Sequence, residues 1–110
     1  MFFSDRKRYQ RLTTPGKDQE VEVAMLRVMG QYALDNSYKN VSPKDIEIMV
    51  MDDMPFVRFF GLFNLICYHL EIHGKADSAV EEKYTEVARL MPSNLVKGMN
   101  AEIDRLRAQV

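Results

Sequence analysis

Apolar positions recur at three- and four-residue intervals in nearly every segment between the turn-forming residues of this chain, and that spacing predicts helices. Residues 54–73, MPFVRFFGLFNLICYHLEIH, form the most apolar segment. Wound at about 100° per residue, the segment places Phe56, Phe59, Phe60, Leu62, Phe63, Ile66, Cys67 and Leu70 on one broad face. Its second side alternates Val57, Leu65, Tyr68 and Ile72 with Arg58, Gly61, Asn64 and His69. A helix apolar over so much of its circumference has to be covered on most sides, so it is expected at the centre of the fold.

The flanking segments read the same way. From residue 18 to about 36, Val21, Met25, Val28 and Tyr32 make one helical stripe, which Leu26, Met29 and Ala33 are expected to widen. Glu20 and Glu22 suit the positive end of that helix, and Gly30 is placed to permit a close helix crossing. Ser42, Pro43 and Asp45 predict a capped start, with Asp45 reaching back as in a capping box. Ile46, Met49 and Val50 follow; IEIMVM would also suit a strand, but the cap favours a helix. Asp52 and Asp53 ahead of Pro55 predict the start of the central helix, and Gly74 its C-cap. Ser78, with Asp77 competing, caps a segment carrying Val80, Tyr84, Val87, Ala88 and Met91. Pro92 ends it, and Ser93 is expected to cap a last helix with a seam of Val96, Met99, Ile103, Leu106 and Val110. The expected fold is all-α, a compact bundle of four to five helices around the central apolar one. Residues 17–110 form a single domain behind a basic, aromatic arm of residues 1–16.

Composition adjusts this picture in three ways. Eight Met and no Trp suit either a helical core or an adaptable contact surface. A single cysteine, Cys67, excludes an internal disulfide and reads as an inert buried thiol in a reducing compartment. No signal-like run opens the chain, so a cytoplasmic location is expected. Residues 54–73 have nearly the length of a membrane span. Arg58 and Glu71 at such depth would cost about 2.5–3.5 kcal/mol each, which favours a soluble core helix and no membrane partner.

Charge is uneven. Residues 1–17 hold five basic side chains and one acidic, a net +4, while the remaining ten basic and fifteen acidic residues give −5. Motifs for catalysis are missing. His69 and His73 share a helix face, but His69-Leu70-Glu71-Ile72-His73 is not the zincin order and offers no specific third ligand. Cys67 and His69, two residues apart, point to different sides and make no nucleophile–base pair. The chain has no Walker loop, no Gly-x-Gly-x-x-Gly and no Gly-x-Ser-x-Gly. No catalytic residue, metal or cofactor is therefore expected.

What remains is association. The sequence points to a small non-enzymatic interaction module (an adaptor, regulator or inhibitor) that forms a homo-oligomer and binds a larger protein partner. The candidate contacts are Arg6, Arg8, Tyr9 and Arg11 on the arm, and Arg58, Gly61, Leu65 and Tyr68 on the second side of the central helix. Gly61 is small enough to admit another helix. The alternative is a nucleic-acid or nucleotide-binding accessory protein using the same arm for phosphate contacts and one stacking ring. The acidic–apolar rhythm of residues 42–56 resembles that of small phage tail-assembly chaperones. This implies a phage or mobile-element accessory protein and transfers no residue roles, because the stretch holds no motif specific to them.

Overall fold

The computed structural model describes residues 17–110, and these are helical with no strand among the described residues. The helices are α1 (Lys17–Asp35), α2 (Pro43–Val50), α3 (Pro55–His73), α4 (Ser78–Ala88) and α5 (Ser93–Ala108). Residues 46–50 are therefore helix rather than strand. At about 1.5 Å per residue, α3 is roughly 28 Å long, a full traverse of the domain. It packs closely against α2, α4 and α5, whereas α1 lies mainly along α2. Phe59, Leu62, Ile66, Cys67 and Leu70 of α3 are buried against Ile46, Met49, Val28, Tyr84 and Ile103 in one core.

Glycines set two features of this arrangement. Gly61 sits where α2 crosses α3: a Cβ there would lie 2.7 Å from the Val50 backbone nitrogen and 2.8 Å from Met49 Cβ. Any side chain would hold the two helices apart. Gly74 closes α3 in the left-handed region at φ 82°, with its N–H donating to the Leu70 carbonyl at 3.2 Å. That conformation costs a glycine nothing and satisfies a carbonyl the helix would otherwise leave open.

The helix starts follow the sequence in place but not always in chemistry. Asp77 wins the cap of α4 from Ser78, its Oδ1 accepting from the Ala79 N–H at 2.8 Å. Ser42 stands at the cap position of α2 but its side chain makes no cap bond. Asp45 does not reach back to it. Asp45 is drawn sideways to Arg27 of α1, 3.7 Å away, because α1 lies along α2 there. Before α3 the cap position belongs to Met54, and Asp52 Oδ2 accepts the Met54 N–H at 3.0 Å. Ser93 is already inside α5, and the cap position falls to Pro92, whose carbonyl accepts the first helical bond from the Val96 N–H at 3.2 Å.

Apolar expectations fail on α1 and at the start of α3. Leu26 and Met29 are 62% and 52% exposed, Ala33 is exposed, and Phe56 is 54% exposed. Ala24, 1% exposed, is buried in their place. With α1 along α2, its buried arc runs through Val21, Ala24 and Val28, which leaves Leu26 on the far side and Met29 at the edge of the arc.

Candidate functional site

The loop between α1 and α2 is tied to α3 by polar contacts. Tyr38, 3% exposed, donates its hydroxyl to Asn64 Oδ1 at 2.8 Å, and Asn64 Nδ2 donates to the Phe60 carbonyl at 2.8 Å. The Tyr38 N–H donates to the Glu71 carboxylate at 3.0 Å, and the Ser37 hydroxyl donates to the same group. Tyr32 and Tyr38 rings pack 4.7 Å apart, and Tyr68 meets Tyr38 edge-on at 6.3 Å. Glu71 and Tyr38 thus fix the end of α1 against the last turns of α3.

Further along α3, α1 and α5 do not close over it. A cavity of about 370 Å³ remains, with Phe60, Phe63, Asn64 and Cys67 as its floor. Val28, Met29 and Tyr32 of α1 form one wall, and Glu102 and Leu106 of α5 the other. Phe60 and Phe63 are half-buried in this floor, and Phe56, one turn earlier in α3, is exposed. Glu102 stands at the mouth with 39% of its side chain exposed, paired with Arg105. That guanidinium holds the Glu102 carboxyl below the usual carboxylate range. Burial pushes the Cys67 thiol up to about 12, so it lies in the floor as a neutral, unreactive group.

The outer side of α1 is a second unusual surface. Leu26, Gly30 and Leu34 fall on one line, i, i+4, i+8, opposite the core stripe of Val21, Val28 and Tyr32. Leu34 is 81% exposed, Val23 flanks the line at 39%, and nothing lies within 4 Å of a Cβ built on Gly30. The helix crossing that Gly30 would permit is not used by the described residues of this chain.

The predicted contact residues scatter. Arg6, Arg8, Tyr9 and Arg11 lie outside the described residues. Gly61 is taken up by α2, as described above. Leu65 is half-buried beside the core, and Tyr68 is half-buried against Tyr38 and the His69–His73 pair. Arg58 borders a separate groove of about 480 Å³ with Met51, Lys83 and Leu90, its guanidinium reaching the Asp52 and Asp53 carbonyls at 3.4 Å. Of these four, Gly61 is covered by α2, while Arg58, Leu65 and Tyr68 stay half-buried along α3. His69 and His73 do meet, with ring centroids 5.6 Å apart, and burial followed by the neighbouring His73 lowers the His69 pKa. No group of three metal-ligating side chains occurs among the described residues, and no helix there is long and apolar enough to cross a membrane.

Sequence reasoning missed Tyr38 and Glu71, a loop aromatic and a helix carboxylate with no periodic signal. It also assigned Leu26, Met29 and Phe56 to the interior. The only available signal was excess: α1 has more apolar residues than one stripe needs. Compared with protein families, with curated proteins and with solved structures, the chain finds no match in any of the three.

Proposed function

We propose that this protein is a small non-enzymatic interaction module that self-associates and presents its remaining surface to a larger protein partner. One observation carries the reading: the outer side of α1, with exposed Leu26 and Leu34 four residues either side of an uncovered Gly30. The line is self-complementary under a two-fold axis. An antiparallel crossing centred on Gly30 sets Leu26 of one copy against Leu34 of the other, and the missing Cβ lets the backbones approach. Isologous contacts of this kind are the commonest route to a homodimer. The uneven charge of the chain supports a macromolecular partner, since a basic segment on an acidic body favours oriented encounter.

Solution mass tests the reading. Wild type is expected to be a dimer by light scattering, and Leu26→Asp and Leu34→Asp folded monomers with unchanged helicity, because neither side chain supports the monomer core. A wild-type monomer at the highest soluble concentration would sink the self-association. So would a dimer that both variants leave intact.

A further inference from the structure

We propose that the cavity between α1 and α5 is a binding site for a compact, uncharged, largely apolar molecule, aromatic or short-chain aliphatic. Its volume, about 370 Å³, lies in the range of small-molecule sites and is more than twice that of the dry cavities that hold benzene. The floor and walls present ring faces and soft sulfur: Phe60, Phe63 and Tyr32, with Met29 and Cys67. Aromatic and thioether groups favour flat apolar ligands and adapt to their outline.

The polar groups of the lining narrow the chemistry further. The Tyr38 hydroxyl is used by Asn64, and the Asn64 amide by the Phe60 carbonyl. Neither asks for a ligand hydrogen bond. Glu102 is the one lining residue among those described that is charged at neutral pH, and it is already joined to Arg105 at the mouth. A charged ligand would be stripped of water, and no described lining residue offers it a free counter-charge, so ionised analogues are disfavoured. An apolar guest, by contrast, makes dispersion contacts with the ring faces and sulfur atoms of the lining and loses no polar partner on entry.

Indole, 1-octanol and indole-3-acetate are suitable probes, read by amide shifts in two-dimensional NMR and by thermal unfolding. Indole and 1-octanol are expected to bind one to one. Saturable shifts should centre on Val28, Tyr32, Phe63 and Leu106, and the melting temperature should rise with ligand concentration. Indole-3-acetate is expected to bind at least tenfold more weakly. Cys67→Leu fills the floor and Met29→Lys places a charge in the mouth. Each should weaken indole at least tenfold, and Met29→Lys, altering a half-exposed side chain, keeps the fold. Absence of saturable shifts up to the solubility of indole would overturn the proposal. So would equal binding to Met29→Lys, ligand shifts centred on Leu26 and Leu34, or shifts at Phe63 and Leu106 that follow protein concentration without ligand, which would place a second copy in the cleft. The mass measurements on the Leu26 and Leu34 variants are independent of this result.

Discussion

Adding one methyl group at Gly61 tests the packing on which the rest of the fold depends. An alanine Cβ would stand 2.7 Å from the Val50 nitrogen, 2.8 Å from Met49 Cβ and 2.9 Å from the Met49 carbonyl carbon. Comfortable carbon contacts begin near 3.5 Å, so α2 must move by roughly 0.5–1 Å. The opposing atoms are backbone and Cβ, not the end of a flexible side chain. Ile46 and Met49, both 0% exposed, would move with them and leave voids behind. Overpacking a core costs about 1–3 kcal/mol, and these conditions place Gly61→Ala in the upper half of that range. Replacing glycine in a helix interior returns about 1 kcal/mol. The net expectation is a loss of about 1–2 kcal/mol, or a melting temperature lower by about 5–10 °C for a domain of this size. Gly98→Ala is the control. It lies in α5 with nothing within 4 Å of the added carbon, so the helix term of about 1 kcal/mol should appear unopposed as a gain. Urea denaturation followed by far-ultraviolet circular dichroism measures both. If Gly61→Ala equals or exceeds wild-type stability with an unchanged m-value, the close crossing of α2 and α3 is wrong.

Two other substitutions probe the loop clamp and the outer face. Tyr38→Phe leaves Asn64 Oδ1 without its donor in a site 4% exposed, and should cost about 1–3 kcal/mol by the same denaturation assay; a change below about 0.5 kcal/mol would mean that the hydroxyl contributes little. Gly30→Ala should raise the stability of the isolated chain by up to about 1 kcal/mol, there being open space above it, and weaken the dimer in sedimentation experiments by holding the two helices apart. A dimer unchanged or tightened by this variant contradicts a crossing centred on Gly30.

Helix boundaries were legible because their signals are local. Pro43 and Pro55 open helices, Asp77 caps one, and Gly74 ends another in a conformation few other residues accept. Burial within a helix was legible only where one side is overwhelmingly apolar, as at Phe59, Leu62, Ile66 and Leu70. On α1 two apolar sides compete, and periodicity cannot rank them. The choice was made by packing along α2, where Arg27 meets Asp45, a contact between residues far apart in the chain. Phe56 lies in the first turn of α3, on its apolar side yet 54% exposed, and the pattern along one helix does not show where its cover stops. Tyr38 and Glu71 carry no periodic signal, because their roles arise from where the loop lands.

The same limit explains why glycine alone was a poor guide to interfaces and why its neighbours are a better one. Gly61 was read as a place where another helix approaches, and that helix is α2 of the same chain. Gly30 and Gly98 both lie on helix surfaces with open space above them. Their i±4 neighbours differ. Gly98 lies between Asn94 and Glu102, a polar line that water satisfies, whereas Gly30 lies between Leu26 and Leu34. A glycine inside an exposed helix costs about 1 kcal/mol against alanine, and two large exposed leucines add apolar surface left in water. Neither cost is offset inside the described chain at Gly30. A second helix crossing there removes both leucines from water and uses the absent Cβ, so a single contact accounts for all three residues.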